Sequence, residues 1–200
     1  MRKMKSLVYG TGDKGFKYPV AINRVHLKEY SLWVGMLKRC NRLCQEKFPS
    51  YIGVTCSENF KSYSYFYEWC QTQIGFKNVD EKGKVFQLDK DLLVKGNKVY
   101  SEDVCVFVPQ AINKLLTKVD TKRGNYLVGV SFEESSGKFQ ANCTCRYGNR
   151  KIGRFITEME AFLAYKTRKE SIIKRLANEY RTQLDQRAYN ALLNYEVDIN

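Results

Sequence analysis

Residues 138–146 alternate strictly between polar and apolar side chains, and this pattern constrains the fold more than any other part of the chain. The apolar members, Phe139, Ala141, Cys143 and Cys145, are separated by single polar residues. Because successive side chains of a β-strand point to opposite faces, the alternation predicts a half-buried strand with one apolar and one polar face. The predicted polar face carries Lys138, Gln140, Asn142, Thr144 and Arg146.

Two neighbouring segments predict partner strands for this one. Residues 127–132 precede it through the polar connection 133–137, and residues 151–155 follow it through the connection 147–150. Because both connections contain residues typical of turns, we predict a three-stranded antiparallel sheet. At or after the second turn, further cations extend the polar surface: Arg150, Lys151 and Arg154.

A helix is predicted to pack on this sheet. Thr157 and Glu160 have the spacing of an S/T-x-x-E capping box, which is typical of a helix start. Small alanines at positions 161 and 164 favour close packing of the helix on the sheet. The helical spacing continues through Ile172, Ile173, Leu176 and Tyr180, and a last short helix is predicted from about Asp185.

The first half of the chain shows helical periodicity instead. A first amphipathic helix is predicted from residue 27, because apolar residues recur there at spacings of three and four. Phe48-Pro49 is expected to end it, residues 51–56 predict a short extended piece, and residues 60–74 predict an aromatic-rich second helix. The apolar stripe of the first helix consists of Tyr30, Trp33, Leu37, Cys40 and Cys44.

Turn chemistry predicts the next elements. Residues 95–98 form the turn sequence Lys-Gly-Asn-Lys between two apolar runs, which predicts a β-hairpin over residues 88–100. A short helix is predicted over residues 108–116, with Pro109 near its first turn.

The charge of the chain narrows its possible partners. A formal net charge of +13 attracts polyanions, of which nucleic acid is the commonest, and an acidic protein or membrane headgroups are the alternatives. The sequence contains no Asp or Glu between Lys138 and Arg154, whereas solvated sheet faces usually mix both signs of charge. Amide and guanidinium groups on such a face can contact base edges in the major groove while other cations bind phosphates. An ordinary solvated face is the alternative interpretation.

Other sequence features favour a soluble, cytoplasmic protein without membrane contact. No apolar stretch approaches the roughly 18 residues that span a bilayer, and residues 1–5 lead into no signal-type run. The seven cysteines are odd in number and fall mostly within apolar patterns, as reduced core thiols do. A zinc site has little support, because there is no C-x-x-C pair and His26 is far in sequence from Cys143 and Cys145.

The second half of the chain contains four short motifs: GVSF at 129–132, GKFQA at 137–141, IGRF at 152–155 and TEMEA at 157–161. With these motifs it resembles the AP2 DNA-binding domain. That family uses a three-stranded sheet backed by one helix. By position, the resemblance implies contacts to DNA from Ser131, Asn142, Thr144 and Lys151, with Phe139 nearby.

The first half contains the segments WVGMLKRC at 33–40, YIGVTC at 51–56, LDKD at 88–91 and FVPQAIN at 107–113. With these segments it resembles phage HNH endonuclease proteins. That family has a ββα-metal fold with a His general base and a divalent ion. The resemblance implies Asp89 and Asn113 as ligands of Mg²⁺ or Mn²⁺, with Lys90 at the position of the catalytic His. A protonated lysine cannot accept a proton from water, so Asp91 is the alternative base. Lys90 could instead hold a phosphate, and an exposed turn is a further interpretation.

These observations predict an α+β protein of phage or mobile-element type, located in the bacterial host cytoplasm. Its predicted parts are a basic arm (1–28), a degenerate ββα-metal-like HNH unit (29–120), an AP2-like unit (121–170) and a C-terminal helical extension (171–200). The predicted function is binding of double-stranded DNA. The alternatives are divalent-metal-dependent HNH-type cleavage of DNA, with Asp89, Lys90, Asp91 and Asn113 as candidate catalytic residues, and binding and inhibition of a host factor.

Overall fold

The computed structural model describes residues 7–116, 125–144 and 150–199. It combines helices with small sheets, which confirms the predicted α+β class. The chain divides into two compact units, Met1–Pro109 and Gln110–Asn200. The boundary predicted between residues 120 and 121 lies outside the described residues, so the predicted domain limits stay predictions.

In the first unit, the two predicted amphipathic helices are present. The first helix ends at Cys40 instead of continuing to Phe48-Pro49, because the Asn41 side chain accepts a hydrogen bond from the Leu43 backbone N–H at 3.0 Å and begins a new helix. Only two residues of the predicted extended piece form a strand. The elements are α1 (Lys28–Cys40), α2 (Arg42–Lys47), α3 (Tyr63–Thr72), β1 (Ala21–Ile22), β2 (Val25–His26), β3 (Thr55–Cys56), β4 (Gln87–Asp89), β5 (Val99–Tyr100) and β6 (Val106–Val108), with 3-10 turns at Pro49–Tyr51 and Asn59–Lys61.

The irregular segment before α1 is anchored to the rest of the first unit. The Tyr63 backbone N–H donates to the Asp13 carbonyl at 2.9 Å, and the Tyr18 ring stacks on Tyr67 with centroids 4.0 Å apart. These contacts bury aromatic surface and satisfy backbone groups. Asp13 and Tyr18, in the described part (7–28) of the predicted basic arm, therefore contact α3.

An aromatic core joins α1 to α3. Trp33, Phe60 and Phe66 are fully buried, and the Phe60 ring meets Phe66 and Trp69 edge-on at centroid distances of 5.1 and 4.8 Å. The Trp33 indole Nε1 donates to the Phe60 carbonyl at 2.8 Å, so the N–H of this buried ring is paired. On α3, Tyr63, Phe66 and Trp69 are buried core residues.

The predicted β-hairpin over residues 88–100 is wrong. β4 pairs antiparallel with β6, and β5 pairs in parallel with β3. Two side chains explain the difference. The Asp89 carboxylate accepts two backbone N–H bonds directly after β4, and the Asn97 carboxamide donates to the Lys90 carbonyl at 2.8 Å. These bonds close the loop locally, while the fully buried β6 takes the place beside β4.

The second unit contains the predicted meander of three antiparallel strands, in the order β7-β8-β9. The predicted capping box is also confirmed, because the Glu160 N–H donates to Thr157 Oγ1 at 3.2 Å and the Thr157 N–H donates to Glu160 Oε2 at 3.1 Å. The long helix continues past residue 170, where the predicted sheet-and-helix unit ended. The elements are α4 (Gln110–Leu116), β7 (Val130–Glu133), β8 (Lys138–Asn142), β9 (Lys151–Phe155), α5 (Glu158–Glu179) and α6 (Gln186–Leu193).

Helix α5 packs on one face of this sheet. Ala141, at the centre of that face, is fully buried between its register partners Val130 and Gly153. Gly129 has a φ of +79°, and a Cβ built on it would lie 2.2 Å from the nearest atom of the Tyr165 ring of α5. Only glycine meets both conditions, so this residue permits the close approach of helix and sheet.

The alternation predicted a buried Phe139, and the ring is only half-buried. It belongs to a small aromatic cluster, with centroids 5.1 Å from Phe132 and 5.6 Å from Tyr126. Phe132 and Tyr126 are themselves exposed, so the cluster covers Phe139 incompletely. The period-two pattern gives the face of a side chain correctly but not the depth of its burial.

Candidate nucleic-acid interface

The sheet face opposite α5, called the outer face below, carries side chains that hydrogen-bond to one another across strands. Ser131 in β7, Gln140 in β8 and Arg154 in β9 are register partners and share this face. The Gln140 amide Nε2 donates to Asn142 Oδ1 at 3.0 Å, and the Asn142 Nδ2 donates to Ser131 Oγ at 3.4 Å. Since these bonds run along the sheet, they restrain the amides and leave further donor and acceptor positions facing outward.

Cations surround this network. Lys138 begins β8, and Lys151 in β9 is the register partner of Asn142, next to a register shift between Ala141 and Asn142. Lys138, Arg150 and Lys151 are exposed, as is Thr144 just beyond β8. Arg146, the remaining candidate, lies outside the described residues.

Glu133, which the sequence pattern did not indicate, also lies on the outer face. Its carboxylate binds the Arg154 guanidinium through two contacts, Arg154 Nη2 to Oε1 at 2.6 Å and Nε to Oε2 at 2.5 Å. Ser136 Oγ donates to Oε2 at 2.6 Å. The hydrogen bond from Arg154, aided by that from Ser136, lowers the pKa of Glu133 to about 2, and the same ion pair raises the pKa of Arg154.

The expectation of an acid-free face therefore needs correction. Between Lys138 and Arg154 the sequence contains no acid, but antiparallel pairing places Glu133 opposite Lys138 and diagonally across β8 from Arg154. The register of the predicted hairpin could have indicated this position, because a turn over 134–137 makes Glu133 and Lys138 partners. The outer face carries an ordered ion pair as well as cations.

The predicted catalytic residues of the first unit form a closed loop after β4. Asp89 Oδ1 accepts from the backbone N–H groups of Asp91 and Leu92 at 2.8 and 2.7 Å. Burial raises the pKa of the Asp89 carboxyl. Lys90 is buried, not exposed, and its Nζ donates to Asp91 Oδ1 at 2.5 Å and to the Asn97 carbonyl at 2.7 Å. The side chains of Asp89, Lys90 and Asp91 thus bind the loop's own backbone or one another.

This geometry is a poor fit for the implied divalent ion. Mg²⁺ and Mn²⁺ need several oxygen ligands, yet Asp89 Oδ1 already accepts two N–H bonds and a buried ammonium group follows it in the chain. Asn113, the other implied ligand, is half-buried on α4. Among the described residues, no group of three or more His, Cys, Asp or Glu side chains is placed to hold a metal ion.

The cysteines divide by burial. Cys70, Cys105 and Cys143 are buried, Cys40, Cys44 and Cys56 are half-buried, and Cys145 lies outside the described residues. Burial raises the pKa of the Cys70 thiol, and it raises that of Cys105 to about 12, so these two thiols remain protonated at neutral pH. They act as small apolar core residues.

No family model, curated protein or solved structure matches this chain. Within the ranges that the structure describes, none of the helices is both long and apolar enough to cross a bilayer. The function of the chain is therefore inferred from its own residues.

Proposed function

We propose that this chain binds double-stranded DNA through the outer face of the β7–β8–β9 sheet, in an AP2-like mode. The supporting observation is the lateral hydrogen-bond network of Ser131, Gln140 and Asn142, bordered by the exposed Lys138 and Lys151. A helix-backed sheet gives these groups a rigid support. Rigid donors and acceptors lose little conformational freedom on binding, which favours recognition.

The chemistry of the outer face suits the major groove. Asn and Gln side chains can form paired hydrogen bonds with adenine, and the network keeps the amides of Gln140 and Asn142 at a fixed spacing. Lys138, Arg150 and Lys151 supply cations for the phosphates, which position the protein without selecting sequence. The net charge of +13 adds a long-range attraction to DNA.

The proposal does not extend to strand cleavage. An HNH-type reaction needs a general base and a bound divalent ion. The Lys90 ammonium bonds with Asp91 and Asn97, and Asp89 Oδ1 caps two backbone N–H groups, so both implied positions have a structural role. We propose that the first unit derives from an HNH-like phage or mobile-element ancestor whose catalytic centre has become a closed loop.

Binding of a fluorescently labelled duplex of random sequence at low salt tests the proposal. The double variant Lys138→Ala/Lys151→Ala should bind about tenfold or more weakly than the parent, because it loses two phosphate contacts. The matched control Lys82→Ala/Lys84→Ala removes the same charge from an exposed turn of the first unit and should bind nearly as the parent does. Equal weakening by both double variants would show that net charge alone causes the effect, and it would contradict binding through the outer face.

A supercoiled plasmid assay separates binding from cleavage. With Mg²⁺ or Mn²⁺ present, we expect the parent to retard the plasmid without converting it to nicked or linear DNA. Conversion that disappears in Asp89→Ala would instead show an active metal centre and make cleavage the better assignment. Failure to bind any duplex would favour the third class of function, in which the basic surface binds a host protein.

A further inference from the structure

We propose that Arg154 makes a guanine-specific contact and that Glu133 orients it, so that the outer face prefers a guanine at one position of its DNA site. The inference rests on the proposed DNA-binding function and adds a base preference to it. Arg154 then reads a base instead of acting only as a cation, and Glu133 acts as a positioning residue.

The ion pair leaves one edge of the guanidinium directed away from Glu133. Arg154 contacts the carboxylate through Nε and Nη2, which is the side-on arrangement. A guanidinium has five N–H donors in a planar fork, so the edge formed by Nη1 and Nη2 retains two parallel N–H groups. Two parallel N–H donors match the O6 and N7 acceptors of guanine in the major groove, and no other base presents this pair of acceptors there.

Exposure and position support this role. The Arg154 side chain is 46% exposed and the Glu133 side chain 25% exposed, so the arginine is the more accessible member of the pair. In the sheet register Arg154 is the partner of Gln140, which belongs to the lateral amide network. A guanine bound by Arg154 would therefore lie beside the bases that Gln140 and Asn142 can reach.

Glu133 restrains the arginine in two ways. Ser136 Oγ donates to Oε2 at 2.6 Å, so the carboxylate is itself fixed before it holds the guanidinium plane. Its negative charge also offsets that of Arg154, which weakens attraction to any nearby phosphate and favours a contact that depends on geometry. An ion pair with a purely structural role would leave base preference unaffected, and this difference makes the inference testable.

The experiment selects binding sites from a randomised duplex pool with the full-length parent and then compares the selected site with a copy in which the invariant guanine is replaced by adenine. We expect the parent to prefer guanine by about 5- to 150-fold, the range of a paired base contact. Arg154→Lys keeps the charge but not the fork, so it should lose most of this preference while the salt dependence of affinity stays nearly unchanged. Glu133→Gln should bind random DNA more tightly and discriminate less.

Arg42→Lys is the matched control, because it makes the same exchange in an exposed ion pair of the first unit, that of Arg42 with Glu46, and it should keep the guanine preference. Methylation of guanine N7 in the selected site gives a second measurement that needs no variant, and it should block binding by the parent. Duplex binding without an invariant guanine, or a preference that survives Arg154→Lys, would overturn the inference and leave the proposed function intact. Absence of duplex binding by the parent would overturn the proposed function itself.

Discussion

The loop after β4 and the outer face of the β7–β8–β9 sheet are both rich in polar side chains, yet they direct their hydrogen bonds differently. In the loop, the bonds of Asp89 and Lys90 go to backbone groups and side chains of the loop itself. On the outer face, Gln140 bonds to Asn142 along β8. Arg154 in β9 bonds to Glu133 in β7, across the intervening β8. Side chains that bond to the backbone of their own loop close a turn. Side chains that bond to one another along a sheet face keep donor and acceptor positions for a ligand.

The largest expected effect concerns the support of the outer face. Gly129→Ala should destabilise the second unit by about 3 kcal/mol or more, because the new Cβ would overlap the Tyr165 ring at a positive φ. Gly137→Ala is the control, since its φ is also positive but nothing lies within 4 Å of its Cβ, and it should cost only about 1 kcal/mol. Urea unfolding measures both. Equal costs would show that helix α5 does not fix the sheet through this contact.

Phe139→Ala tests how firmly the aromatic cluster supports the sheet. A fully buried Phe costs about 3–5 kcal/mol when it is truncated, and the half-buried Phe139 should cost about 2 kcal/mol. Phe60→Ala, at a fully buried site of the first unit, should show the full cost in the same unfolding measurement. If Phe139→Ala keeps normal stability and loses DNA binding, the ring belongs to the binding surface instead.

The sheet itself could be predicted from the sequence because the signals that define its strands and turns are local in the sequence. Alternation around Phe139 defines a strand, the turn residues on either side define its partners, and the Thr157 capping box marks the start of α5. The site was predicted in part for the same reason. Ser131, Gln140 and Asn142 follow from the strand period, whereas the pairing of Glu133 with Arg154 depends on contact across an intervening strand.

The loop after β4 shows why the remainder could not be predicted. The turn residues at 95–98 favoured pairing between adjacent segments, but β4 pairs with the more distant β6. Two side chains decide this outcome. Asp89 caps the chain directly after β4, and Asn97 bonds to two carbonyls across the loop. The Lys90–Asn97 bonds depend on three-dimensional proximity, and from the sequence alone Asp-Lys-Asp at 89–91 matched a catalytic motif equally well.

Substitutions of Asp89 test the structural role of this loop. Asp89→Ala should cost about 1–2 kcal/mol, because two backbone N–H groups lose their acceptor. Asp89→Asn keeps an acceptor oxygen and avoids burial of a charge, so its stability at neutral pH should equal or slightly exceed that of the parent. Normal stability of Asp89→Ala would show that the loop does not depend on this cap.

The pH dependence provides a second check on Asp89. Because its folded-state pKa is raised, the associated stability is fully present below the unfolded value of about 3.9 and is lost as the pH rises through the folded value. Unfolding measured from pH 3 upward should show this loss in the parent and not in Asp89→Asn. Parallel profiles for the two proteins would contradict the burial of a titrating Asp89.

The smallest effect concerns the ion pair of the outer face. Since the pKa of Glu133 is lowered to about 2, its contribution to stability is present above the unfolded value of about 4.3 and is lost as the pH falls toward 2. Both side chains reach solvent, so the change in stability will be slight. A carboxyl ¹³C NMR titration should place the Glu133 midpoint near 2. A midpoint near 4.3 would show that the pair is not maintained in solution.

The salt dependence of duplex DNA binding tests the central claim most directly. The logarithm of the affinity should fall linearly with the logarithm of the salt concentration, and Lys151→Ala should flatten this slope by about 0.9, the value for one lost phosphate contact. Lys82→Ala, in the exposed turn of the first unit, should leave the slope unchanged. We expect binding at low salt, with a flatter salt dependence for Lys151→Ala than for Lys82→Ala. Absence of binding at low salt, or an unchanged slope for Lys151→Ala, would contradict it.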